Sequence, residues 1–125
     1  MYNIKIEANF SSAHNLRGYK GKCEELHGHN WKVEEVVSKD KLDKAGMVLD
    51  FKYLKMKLNK VLEKLDHKYL NNLSYFKKVN PTSENIAKYI YDSLKEQFSR
   101  SNSQGASLKS VTVWENSTSS STYEE

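Results

Sequence analysis

The chain has 125 residues, 38% apolar and 29% charged, with 20 basic and 16 acidic side chains giving a formal net charge of +4, a length that suits one domain over residues 1–125. Its single cysteine, Cys23, excludes an intramolecular disulfide framework. The N-terminal Met1-Tyr2-Asn3-Ile4-Lys5 lacks the apolar core of a signal peptide, and no segment approaches the roughly 18 apolar residues of a membrane span, so a soluble, cytoplasmic protein without a membrane partner is expected.

Residues 2–10 alternate: Tyr2, Ile4, Ile6, Ala8 and Phe10 share one face and Asn3, Lys5, Glu7 and Asn9 the other, the pattern of a half-buried strand. A polar loop with Gly18 and Gly21 is expected over residues 11–26, and alternation resumes over 27–37 with His27, His29, Trp31 and Val33 in phase. A charged connection over 38–47 follows. From Phe51 the spacing lengthens. Phe51, Leu54, Leu58, Val61, Leu62 and Leu65 keep the 3.6-residue period of an amphipathic helix, with Asp50 placed to cap it. Asn80-Pro81-Thr82-Ser83-Glu84 announces a second helix, whose stripe runs Ile86, Ile90, Leu94, Phe98. After a serine-rich loop over 99–107, Val111, Val113 and Glu115 share a face of a third strand; residues 118–125 supply a fourth, against the weak strand preference of serine. The order β-β-α-α-β-β predicts an α+β fold, a four-stranded antiparallel sheet with two helices inserted between strands two and three. Its two edges favour sheet extension between subunits.

Within this frame, His27-Gly28-His29 places two imidazoles on the same side of a strand. They are good Zn²⁺ ligands that leave a tetrahedral ion incomplete, and His14, just past the first strand, is the third candidate. Hydrogen-bonded surface histidines are the plain alternative. Cys23 stands four positions before His27. It is a fourth ligand closing a structural site, a base or nucleophile beside an open one, or an inert thiol; a nearby dication or Lys22 would favour its thiolate. Asp66-His67, at the end of the first helix, reads either as a proton-passing pair or as an ordinary helix-ending charge pair. Glu115, in phase with two buried valines, either reaches water or meets a ligand with adjacent N–H donors. The positive balance suits an anionic partner, but no basic stripe interleaved with aromatics appears, so nucleic acid is not expected.

These features occur together in one family. The stretches Phe10-Ser11-Ser12-Ala13-His14, Cys23-Glu24-Glu25-Leu26-His27-Gly28-His29, Gly46-Met47-Val48-Leu49-Asp50-Phe51, Leu65-Asp66-His67-Lys68-Tyr69-Leu70-Asn71, Pro81-Thr82-Ser83-Glu84-Asn85 and finally Glu115 make the chain resemble the pterin synthases of the tunnelling fold over nearly its whole length. The three residues between Cys23 and His27 look like the bacterial 6-carboxytetrahydropterin synthases of the queuosine pathway. The resemblance implies a pterin triphosphate substrate, cleaved to a carboxylated tetrahydropterin, acetaldehyde and triphosphate. It implies zinc on His14, His27 and His29, with Cys23 as proton acceptor and Asp66 and His67 as a proton relay. Glu115 would anchor the pterin's amino-pyrimidine edge, and is often grouped with the relay; Thr82 and Ser83 would line the pterin pocket. Arg17, Lys20 and Lys22 are candidates for the phosphates. The family's homohexamer, two stacked trimers with sites at subunit interfaces, is the expected assembly. The rival readings are a 6-pyruvoyltetrahydropterin synthase or a related side-chain lyase, and a non-catalytic zinc module closed by Cys23.

Overall fold

Two long strands form the frame. In the computed structural model, which describes residues 1–18, 25–100 and 104–125 (without the side chains of 99 and 100), β1 (Tyr2–His14) and β2 (His27–Lys39) pair antiparallel in unbroken register from Tyr2↔Lys39 to His14↔His27. β1 thus runs past Phe10, where a loop was expected. Ser11-Ser12-Ala13-His14 stay extended because each finds a partner on β2, which meets the backbone's need for hydrogen bonds without any help from apolar patterning.

α1 (Phe51–Leu62) begins where Asp50 accepts a hydrogen bond from the Lys52 amide, the expected cap. It is followed by β3 (Lys68–Tyr69), a 3-10 turn at Leu70–Asn72, α2 (Ser74–Lys78), α3 (Ser83–Arg100), β4 (Ser107–Asn116) and β5 (Ser119–Glu124). The sheet order is β3-β1-β2-β4-β5. The four expected strands are antiparallel neighbours. To them the structure adds β3, parallel to β1 at Ser12 and Ala13, and the five-residue α2. Elements this short carry no readable period.

The helices cover one face of the sheet. Phe10, Trp31, Val33, Val111 and Val113 from the strands meet Leu54 and Leu58 of α1 and Ile86, Ile90 and Leu94 of α3, all nearly fully buried. Each such side chain contributes about 1.5–3 kcal/mol. One core position breaks the pattern. Glu35, in phase with Val33 and Val37, is 1% exposed, and its Oε1 has no hydrogen-bond partner. Burial alone pushes its carboxyl up to about 8. No helix among the described residues is long and apolar enough to cross a membrane.

Candidate metal centre

The last rung of the β1–β2 ladder brings His14 opposite His27, and His29 lies two residues along the same face. Trp31, fully buried, is the floor beneath them: its ring centroid lies 5.0 Å from that of His14 and 5.1 Å from that of His29. Glu115 closes the group from β4. The β4–β5 register shifts between Trp114 and Asn116, so Glu115 sits in a bulge, a feature that re-aims a side chain. Its Oε1 lies 3.5 Å from His14 Nε2 and 3.4 Å from His29 Nε2. One ligand atom from each of these four residues falls within 4.8 Å of all the others.

The tautomers follow from the neighbours. His14 Nδ1 is 2.7 Å from the Pro81 carbonyl, and His27 Nδ1 is 2.7 Å from the Glu25 carbonyl. A carbonyl only accepts, so both Nδ1 atoms carry the proton and both Nε2 atoms present lone pairs. Yet those Nε2 atoms stand 3.0 Å apart. Two lone pairs at that distance repel unless a cation lies against them. His29 Nε2 is buried with no hydrogen-bond partner. Burial lowers the pKa of His14, against the pull of the Pro81 carbonyl, and lowers that of His29, against the pull of Glu115. The neutral imidazole is the metal-binding form. By donor type, orientation and spacing, these residues fit a borderline-soft divalent cation such as Zn²⁺.

The loop behind His14 is held by side-chain amides. Asn71 accepts from the Asn15 amide and donates to the Asn15 carbonyl. Asn80 does the same for Arg17, and Asn85 in turn donates to the Asn80 carbonyl. Two asparagines thus imitate a neighbouring strand and fix the segment next to Pro81, whose carbonyl orients His14. Sequence reading gave neither asparagine this role, because each acts on a residue more than fifty positions away.

Asp66 and His67 are not members of the four-residue group; they sit at the outer edge of β1. Asp66 Oδ1 accepts from the Ser11 amide and the His67 amide donates to the Ser11 carbonyl. The Ser11 bond, then the His67 ring with its Nδ1 2.9 Å from Asp66 Oδ2, hold the Asp66 carboxyl below its ordinary pKa. His67 adopts φ 55°, left-handed backbone that a non-glycine residue rarely takes. Its side chain is 83% exposed and lines, with Ser11, Ala13, Gly28, His29 and Tyr69, an open cleft of about 480 Å³. Thr82 and Ser83 stand where α3 begins: Thr82 Oγ1 accepts from the Asn85 amide, and Ser83 Oγ is 2.7 Å from Ser121 Oγ of β5. The Arg17 guanidinium, a candidate for phosphate, is engaged instead by the Phe76 and Val79 carbonyls. Cys23, Lys20 and Lys22 lie outside the described residues.

Comparison with known proteins identifies the family. The model of the 6-pyruvoyl tetrahydropterin synthase family matches residues 3–125. A 6-carboxy-5,6,7,8-tetrahydropterin synthase of Synechocystis sp. is 38% identical over 98% of this chain and 93% of its own. A dihydroneopterin monophosphate aldolase of Pyrococcus furiosus is 37% identical over 90% and 88%. The structure of Caenorhabditis elegans 6-pyruvoyl tetrahydropterin synthase superimposes with a TM-score of 0.86 at 30% identity, covering 99% of this chain and 95% of that one. The chain is therefore a tunnelling-fold protein and belongs to the 6-pyruvoyl tetrahydropterin synthase family.

Proposed function

We propose that this chain is a zinc-dependent 6-carboxytetrahydropterin synthase, a lyase that converts 7,8-dihydroneopterin triphosphate and one water to 6-carboxy-5,6,7,8-tetrahydropterin, acetaldehyde and triphosphate in queuosine biosynthesis. The observation that carries the reading is the convergence of the His14, His27 and His29 Nε2 atoms in a member of a pterin synthase family. Bound there, zinc would polarise the substrate's side-chain oxygens as a Lewis acid and acidify the neighbouring C–H bonds.

The chain's own residues do the rest. Cys23 accepts the proton. His67, steadied by the Asp66 carboxylate, delivers and collects protons from the open side of the cleft. Glu115 pairs with the amino-pyrimidine edge, while Thr82 and Ser83 line the pterin pocket. With Arg17 engaged, Lys20 and Lys22 remain the candidates for the triphosphate. The working unit is a cytoplasmic homohexamer of two stacked trimers with sites at subunit interfaces.

Product analysis on dihydroneopterin triphosphate tests this. Carboxylated pterin with acetaldehyde is the expected outcome, and a pyruvoyl product would replace the reading with that of the sister enzyme. Aldehyde released without carboxylation would favour a second reading, a side-chain lyase, which the Pyrococcus relative supports. His27→Ala should lose most bound zinc and all activity, whereas Cys23→Ala should keep the metal and lose activity. Equal zinc loss in both variants would make Cys23 a ligand of a closed structural site.

A further inference from the structure

We infer that Glu115 is the fourth ligand of the metal in the pterin-free protein, closing the position that three histidines leave open. Four ligands about 2.0–2.1 Å from a tetrahedral ion stand roughly 3.3–3.4 Å from one another. The carboxylate meets that requirement twice, at 3.5 Å from His14 Nε2 and 3.4 Å from His29 Nε2. The His14–His27 edge, 3.0 Å, is of the same order. Glu115 is thus as near to His14 and His29 as ligands of one ion are to each other, and all four ligand atoms lie within 4.8 Å of one another.

Hydrogen bonding does not account for the approach. His14 gives its ring proton to the Pro81 carbonyl and has none on Nε2 to donate. His29 Nε2 is buried without a hydrogen bond, although a carboxylate oxygen is 3.4 Å away. A cation held between them would attract the carboxylate and the imidazole lone pairs together. The backbone supplies a second, independent observation. β2 and β4 pair as far as Lys32↔Trp114, so the next step sets Glu115 beside Trp31, the floor of the histidine cluster. The bulge at the same point frees Glu115 from its β5 neighbour and turns it inward.

Such a shell keeps water and small anions off the metal at rest. The same carboxylate cannot hold the metal and a pterin edge at once. A ring offering two adjacent N–H donors is a bidentate partner for it, so arrival of the pterin would draw Glu115 away and open the fourth position for a substrate oxygen. Only that last step rests on the pterin reading.

Co²⁺ titration of the metal-free protein, followed by visible absorption, tests the inference. The wild type should give the intense bands of a four-coordinate ion and stay unchanged on adding azide. Glu115→Gln, nearly the same shape, should bind Co²⁺ at least about tenfold more weakly and respond to azide. Glu115→Ala, checked for folding by circular dichroism, should do likewise. If the wild type already responds to azide, or both variants bind Co²⁺ with wild-type affinity, Glu115 is not a ligand. Adding a reduced pterin to the Co²⁺-loaded wild type separates the two readings. A spectral change that opens the site supports both. A closed wild-type spectrum that no pterin alters keeps Glu115 as ligand and overturns the pterin reading. Variants with unchanged Co²⁺ binding but lost pterin binding do the reverse.

Discussion

Glu35 is a buried carboxyl that the fold must keep protonated. It faces the apolar layer between β2 and the helices, with Val33 and Val37 on either side along the strand and Ile6 and Val111 opposite on the neighbouring strands. Its carboxyl is raised by burial from 4.5 to about 8. Between those values the folded chain keeps a proton that the unfolded chain has released. The stability tied to Glu35 is therefore fully present below the lower value, falls as pH rises, and is gone above the higher one. Each pH unit between the two values removes about 1.4 kcal/mol, so the whole interval is worth several kcal/mol. Thermal unfolding should show Tm dropping between about pH 5 and pH 8, and Glu35→Val should flatten that slope and melt higher at pH 8. An unchanged slope in the variant would assign the pH dependence to another group. The alternation through β2 marks position 35 as inward-facing. It does not show that both flanks of β2 are covered, and that coverage is what makes the carboxylate so destabilising.

The stretch from Glu63 to His67 shows how far a periodic pattern can be trusted for an element. The stripe through Leu65 names the inward residues correctly, since Leu65 is fully buried. It does not say where the hydrogen bonds change partner. α1 stops at Leu62, and the chain turns so that Asp66 and His67 can take both backbone groups of Ser11. That turn forces His67 into left-handed backbone, which costs a residue with a Cβ roughly 1–2 kcal/mol. Glycine escapes the cost but gives up about 0.5–1 kcal/mol of unfolded-state entropy. His67→Gly should thus melt above His67→Ala by the equivalent of about 0.5–1 kcal/mol, while both lose the ring and slow turnover alike. Equal melting temperatures would mean the turn is not strained there. β5 was hard to read for a related reason. Its serines and threonines have weak strand preference, but Thr112 and Thr122 face each other across the ladder with hydroxyls 2.6 Å apart, and Ser121 reaches Ser83 and Glu84. Cross-strand partners, invisible in a linear sequence, made the strand.

For the whole molecule, the α+β order was legible because residues with the strand period and residues with the helix period fall in separate runs along the chain. The histidine triplet was legible because pairing two strands joined by one loop must bring their ends together. The inward phase of Glu115 was legible too, but its approach to His14 and His29 was not, because a bulge leaves no mark in composition, and the same holds for the asparagine clamps behind His14. The sheet ends in two open sides. Among the described residues β1 meets β3 only at Ser12 and Ala13, leaving Tyr2 to Phe10 without a strand partner on that side, and β5 pairs only with β4. Open sides of this kind favour pairing between copies, and the proposed homohexamer predicts a light-scattering mass of six 14.5 kDa chains. A stable and fully active monomer would remove the interface-site part of the proposal.

Those two sides are not alike. One belongs to a thirteen-residue strand that begins the chain, the other to a six-residue strand that ends it. A contact that joins them is head-to-tail, and closes into a ring or runs on as a filament. In a ring every copy is needed twice, once for each side. A chain with a proline set into β5 would still offer a sound β1 and would enter the ring, but could not complete it. Added to intact chains, it would depress activity by more than its share of the mixture. A lesion at β5 would therefore behave as dominant, while a lesion confined to the metal ligands would subtract only its own site.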